Sequence, residues 1–171
     1  LSVNISSRQL HDPDFVAMVL RTLALTGFEA HRLELEITES SLLTHIETAT
    51  EKLHALRKEG IRIALDDFGT GYSSLYYLQE LPIDSLKIDR TFIHRIGEPQ
   101  GRSQILSGLI ILGQQLGLEV IAEGVETLQQ QRFLIEKGCD SVQGFLFSKP
   151  LSSPELPVNR QDAANHEVDV Q

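Results

Sequence analysis

Cysteine is nearly absent: Cys139 is the single one in 171 residues. No internal disulfide can form, which accords with a reducing, cytoplasmic setting. Long hydrophobic runs are missing too. The longest, such as 109–112, fall far short of the roughly 20 apolar residues of a membrane helix. Any membrane anchor is therefore expected from upstream segments. Basic residues are scarce, with 15 Lys and Arg against 24 Asp and Glu, a formal charge of −9. That balance lacks the basic footprint of a duplex DNA binder, so no DNA partner is expected. A phosphate-bearing ligand would need a cation to reach so acidic a chain. The six histidines show no zinc-ligand spacing with one another or with Cys139. The chain opens at Leu1 inside a strand-like run, with no signal-peptide pattern. A chain that opens within a strand is expected to belong to something longer.

What is present is an ordinary globular composition, 41% hydrophobic and 23% charged. Runs rich in Leu, Ile and Val predict strands over 1–5, 33–37, 61–65, 85–88, 119–122 and 142–147. Several lack clean polar alternation, the mark of strands buried on both faces. Helical periodicity falls between them, over 15–25, 40–59, 103–116 and 128–137, with a shorter helix over 72–80 stopped by Pro82. Gly60, Gly117 and Gly138 stand at helix-to-strand joints as C-terminal caps. Strict alternation of strand and helix predicts an α/β fold with a parallel sheet, doubly wound or a barrel. The organisation expected is one domain over 1–155 and a disordered polar tail over 156–171.

Chemistry in parallel α/β folds sits at the C-terminal ends of the strands. There this sequence offers Asn4; Glu34, Glu36 and Glu39; Asp66 and Asp67; Lys87, Asp89 and Arg90; Glu123 and Glu126; and Gln143. Clustered carboxylates repel unless they share protons or bind cations. Asn and carboxylate oxygens are hard donors suited to Mg²⁺ or Mn²⁺. Two such ions bridged by a carboxylate, as Asp66 and Asp67 would allow, can clamp a phosphoryl displacement. A lysine among them can orient water or neutralise developing charge. Each element also has an ordinary reading: an Asp pair before Gly69 suits a loop cap, and Glu34 and Glu39 suit ion pairs. Their coincidence at five strand ends points to a metal-dependent phosphoester hydrolase. Gly69-Thr70-Gly71 lacks the rest of a Walker or Rossmann fingerprint and reads as a mobile active-site loop. Phe68, Tyr72, Tyr76 and Tyr77 around it suit base stacking, a partner interface or plain packing.

Val3-Asn4-Ile5-Ser6, Leu35-Glu36-Ile37-Thr38-Glu39-Ser40, Asp66-Asp67-Phe68-Gly69-Thr70-Gly71-Tyr72-Ser73-Ser74-Leu75, Leu86-Lys87-Ile88-Asp89-Arg90, Ala122-Glu123-Gly124-Val125-Glu126-Thr127 and Gln143-Gly144-Phe145 together resemble the EAL domain, the family of bacterial cyclic di-GMP phosphodiesterases. The match runs in order from Leu1 to Leu151. It implies a modified TIM barrel with one antiparallel strand, of which about six β/α units are present. It implies Asn4, Glu36 and Asp66 as ligands of one metal, with Asp66 and Asp67 linking it to a second. Lys87 and Glu123 then flank the nucleophilic water, with Glu123 as ligand or base. Asp89, Glu126 and Gln143 line or support the site. Glu39 anchors the 67–75 loop, through which the family couples dimerisation to metal and substrate binding.

The implied reaction cuts one phosphodiester of cyclic di-GMP to give linear pGpG, with Mg²⁺ or Mn²⁺ in support and Ca²⁺ inhibitory. A homodimer and upstream sensory or GGDEF diguanylate-cyclase modules are the implied partners. The Glu-Ala-Leu motif that names the family belongs upstream of Asn4, and its Glu is a metal ligand, so the chain is expected to be an EAL domain truncated at its N-terminus. The resemblance leaves two other roles open: a catalytically inactive cyclic di-GMP receptor and a dimerisation module.

Overall fold

The computed structural model describes residues 1–42, 46–69, 75–97 and 102–151, without the side chains of 75–77 and 102. The 70–74 part of the glycine loop, the side chains of Tyr76 and Tyr77, and the 156–171 tail lie outside the described residues. Six strands form one sheet: β1 (Ser2–Ile5), β2 (Glu34–Thr38), β3 (Arg62–Phe68), β4 (Ser85–Ile88), β5 (Glu119–Glu123) and β6 (Ser141–Gln143). Their spatial order is their sequence order, and all five neighbouring pairs are parallel. Every crossover therefore steps the same way. A doubly wound sheet reverses its strand order at a switch point; this one does not, and its winding is that of a barrel wall. The antiparallel strand implied by the resemblance is not among these six.

Register explains what the two faces do. Val3, Leu35 and Ile63 align across the sheet, as do Ile5, Ile37, Leu65, Leu86 and Val120, then Ile88, Ala122 and Val142. Most of this face packs against helices in two clusters, one with Leu10, Phe15, Leu53 and Leu56, the other with Ile93, Leu106, Ile110 and Leu134. Each large side chain so buried contributes about 1.5–3 kcal/mol. The opposite face carries Ser2, Asn4, Glu34, Glu36, Arg62, Ala64, Asp66, Ser85, Lys87, Glu119, Glu123 and Gln143 at alternate positions. Burial on both sides holds for the central strands, as expected. The absence of polar alternation does not. Glu-Leu-Glu-Ile, Ser-Leu-Lys-Ile and Ser-Val-Gln alternate strictly; Glu36, Ser85 and Lys87 are buried because they pair with polar groups of the same face, while Gln143 on the edge strand is exposed.

The helices in the crossovers are α1 (Ser7–His11), α2 (Phe15–Thr26), α3 (Glu39–Leu42), α4 (Ile46–Lys58), α5 (Leu75–Glu80), α6 (Arg90–Ile93), α7 (Arg102–Gln115) and α8 (Leu128–Glu136). Gly60, Gly117 and Gly138 follow α4, α7 and α8 with φ of 89°, 71° and 76°, the left-handed turn that glycine adopts without strain. The helix expected over 40–59 is described as α3 and α4, and 43–45 lie outside the described residues. The strand expected over 142–147 ends at Gln143, because Gly144 turns the chain so that the Leu146 N–H bonds back to the Val125 carbonyl. Helices α1 and α6, of five and four residues, are too short for periodicity to reveal. Their signals are caps: Ser6 and Gln9 make a reciprocal capping box, and Asp89 accepts from the Thr91 N–H. Lys52 on α4 adds a clamp by donating to the carbonyls of Leu10 and Asp12 at 2.9 and 2.7 Å.

Candidate active site

The polar face converges on Lys87. Its Nζ lies 2.6 Å from Glu123 Oε1, 2.8 Å from Glu36 Oε1 and 3.7 Å from Asp66 Oδ1. Four successive strands supply these four groups. Lys87 is 5% exposed, and Glu36 and Asp66 are each 9% exposed. Burial opposes the Lys87 charge, but the hydrogen bonds it donates to Glu123 and Glu36, with the charges of Glu123 and Asp66, outweigh it and hold the ammonium above its ordinary range. Burial, assisted by the nearby charges of Asp66 and Glu36, pushes Glu123 up against the opposing pull of Lys87. Gln143 pairs with Glu123 in register and donates Nε2 to its Oε1 at 2.6 Å. Asn4 stands opposite Glu36 in the β1–β2 register, on the same face. Six of the expected residues thus meet on one surface.

The others sit around it. Asp67 has φ of 55°, an uncommon conformation for a residue with a side chain, at the register shift between Leu65 and Phe68. The twist lets the Asp67 N–H donate to Asp66 Oδ1 at 2.9 Å, which orients that carboxylate. Burial and then the charges of Asp66 and Asp89 raise the Asp67 carboxyl. Asp89 is spent on the α6 cap. Glu126 is exposed and stands 3.7 Å from His94 Nε2; its described contact is not with the Lys87 cluster. Glu34 pairs with Arg62 and accepts from Ser85, so the ion-pair reading of that residue holds. Glu39 is 4% exposed, and neither carboxylate oxygen has a hydrogen-bond partner among the described residues. Phe68 is buried in the core, an ordinary packing role. Cys139 is half-buried, and burial lifts its thiol to about 11.

Among the described residues, no three His, Cys, Asp or Glu side chains converge as a ready metal cage. The focus is held by the Lys87 ammonium instead. The donor set itself, one amide and several carboxylates, is the hard oxygen chemistry that divalent ions select. A hollow of about 270 Å³ lies at the other end of the same face, beside Ser2, Glu34, Arg62 and Glu119. It opens at the N-terminal strand ends, away from this chemistry.

The description "EAL domain" belongs to the family model that matches residues 1–150. This chain belongs to the EAL domain family. The cyclic di-GMP phosphodiesterase NbdA of Pseudomonas aeruginosa is 46% identical over 151 residues, 88% of this chain and 19% of that protein. The structure of the PaMucR phosphodiesterase in its cyclic di-GMP complex matches with a TM-score of 0.86 at 41% identity, over 90% of this chain and 62% of that one. BlrP1 of Klebsiella pneumoniae, in a manganese and cyclic di-GMP complex, matches with a TM-score of 0.80 at 34% identity, over 88% of this chain and 38% of that one. The chain spans about a fifth of the length of the curated relatives it matches.

Within this EAL domain, two residues have structural roles that sequence reasoning did not assign. Gly144 packs so closely that a Cβ there would lie 2.3 Å from both the N and the O of Val125. Gly144→Ala is expected to part Gln143 from the loop after Glu123 and to cost about 1–3 kcal/mol of stability, measurable by urea unfolding. The other is Gln130, 8% exposed at the start of α8. Its signal is the capping-box spacing Thr127-x-x-Gln130.

Proposed function

We propose that the complete protein hydrolyses cyclic di-GMP to linear pGpG, with two Mg²⁺ or Mn²⁺ ions and with Ca²⁺ as an inhibitor. The observation that carries this reading is the buried Lys87 ammonium gathered with Glu36, Asp66 and Glu123 at four adjacent strand ends. Asn4, Glu36, Asp66, Asp67 and Glu123 are the residues proposed to hold the ions. When bound, such ions supply Lewis-acid activation of water and stabilise charge on the phosphoryl oxygens.

The chain's own groups do the rest. Lys87 stays protonated and presents N–H donors toward the attacking water and the negative charge that develops on phosphorus oxygens. Glu123, its affinity for a proton raised by burial, takes the water proton as general base. A P–O bond forms to the water oxygen, one bridging P–O bond breaks, and the leaving sugar oxygen takes up a proton. Gln143 holds the Glu123 carboxylate in place during this transfer, and the Asp67 N–H holds Asp66. Asp89 and Glu126 are given supporting roles at the rim.

Glu39 is proposed as the anchor of the 67–75 loop and, through it, of a homodimer contact. Its carboxylate is buried without a described partner, a costly arrangement. Glu39→Ala is therefore expected to leave the melting temperature of the metal-free protein unchanged or raised, while turnover falls about tenfold or more through the loosened loop. A fall in both would assign Glu39 to the core instead. The domain is proposed to span 1–155 and to act in the cytoplasm beside sensory or GGDEF modules of the complete protein. Chromatography of pGpG from cyclic di-GMP and Mn²⁺ tests the reading. Nucleotide bound but not cut would make the protein a receptor.

A further inference from the structure

Lys87 and Glu123 meet at 2.6 Å, yet they leave the sheet on different strands, and each strand runs at once into a turn. β4 passes through Asp89 into α6; β5 passes through Gly124 to Thr127 into α8. Something must hold those two exits together. The loop after β5 lies directly on α6: a Cβ on Gly124 would come within 2.5 Å of Arg90 Cβ. Gln130 makes the polar tie. Its Oε1 accepts the Glu126 N–H at 2.8 Å and the Thr127 N–H at 3.0 Å, while its Nε2 donates to the Ile93 carbonyl at 3.3 Å. The amide is enclosed; without it the Glu126 and Thr127 N–H groups lose their acceptor, at about 0.5–1.5 kcal/mol for each bond, while the Ile93 carbonyl keeps the Ile96 N–H at 3.1 Å and loses only its link to α8.

A helix cap needs only the accepting half of this arrangement. The donating half reaches out of α8 to a different helix and does nothing for the cap. On its other side the same loop is held by the Val125 N–H, which donates to the Gln143 carbonyl at 3.0 Å, and Gln143 in turn holds Glu123. Gln130 thus closes a chain of contacts from the exit of the Lys87 strand, across the loop, to the Glu123 carboxylate.

We infer that Gln130 is a positioning residue for the Lys87–Glu123 pair, acting through the loop from Gly124 to Thr127. The inference rests on the phosphodiesterase reading for its kinetic consequence, though not for the tie itself. Three variants of the complete protein separate tie from cap. Thr127→Val removes the hydroxyl that caps Gln130 N and leaves the tie. Gln130→Glu keeps an acceptor for both loop amides and removes the donor to Ile93. Gln130→Met removes both halves.

Gln130→Glu and Gln130→Met are expected to lower kcat for cyclic di-GMP with Mn²⁺ about 10- to 100-fold, with KM within about twofold. Thr127→Val should lower the melting temperature and leave kcat within about twofold. Amide exchange should rise in both the 124–127 loop and α6 for the Gln130 variants, but only in the first turn of α8 for Thr127→Val. Should Gln130→Met fail to fold, Gln130→Glu carries the test. Equal kcat losses in Thr127→Val and Gln130→Glu, or exchange confined to α8 in all three, would overturn the inference. No turnover in the unmutated protein would overturn the phosphodiesterase reading, and the exchange pattern alone would then decide the tie.

Discussion

Asp66→Asn in the complete protein is expected to lower cyclic di-GMP turnover about 10²–10³-fold or more and to weaken Mn²⁺ binding by at least about 10- to 100-fold. The substitution is nearly isosteric. The asparagine oxygen can still accept the Asp67 N–H that now donates to Asp66 Oδ1, so the end of β3 keeps its shape. What disappears is one negative charge, 3.7 Å from the Lys87 ammonium and close enough to help raise Glu123 and Asp67. Removing it should let both of those carboxyls titrate at lower pH. Stability should change little or improve, since carboxylate repulsion falls while the hydrogen bond stays. Kinetics, isothermal titration with Mn²⁺ and thermal melting together check this. Full turnover in the variant would remove Asp66 from the site.

Lys87→Met is expected to have the larger effect on stability. The ammonium offsets three carboxylates that are otherwise packed together with little water. Taking one partner from a buried ion cluster costs about 3–5 kcal/mol. Since the fold raises the Lys87 pKa, its contribution is fully present below the ordinary lysine range. It is lost only as pH rises through the elevated folded value, so the deficit of the methionine variant should be constant from pH 6 to 9. Added Mn²⁺ should stabilise this variant more than the unmutated protein, because a divalent ion restores the missing positive charge. Turnover should fall about 10²–10³-fold even when metal is saturating. Melting curves with and without Mn²⁺ read both effects. A variant as stable as the parent, with the same metal-induced shift, would show that the cluster does not depend on Lys87.

Much of this was legible in the residues. Sequence spacing gave all six strands, and strand-end chemistry singled out Asn4, Glu36, Asp66, Lys87, Glu123 and Gln143, which share one face. Period-two alternation was present as well, in Glu34 to Ile37 and Ser85 to Ile88, but was obscured because charged residues in strands suggest solvent. Here they turn inward and neutralise one another. Alternation of strand and helix alone does not distinguish barrel from doubly wound order; the barrel came from the resemblance to the EAL domain, and strand adjacency agrees with it. The surroundings of Glu126 were not legible, because the Glu-Gly-Val-Glu spacing does not reveal that the loop after Gly124 lies on α6, with Glu126 3.7 Å from His94. Gln130 was overlooked for the opposite reason: its spacing explains a helix cap completely, and the second bond to Ile93 exists only in three dimensions.

The most direct test of the central claim is chromatography of the products formed from cyclic di-GMP by the complete protein with Mn²⁺, run beside Asp66→Asn. The account predicts pGpG from the unmutated protein and almost none from the variant. Cyclic di-GMP that binds and is recovered intact from both would contradict it, and would make this EAL domain a receptor.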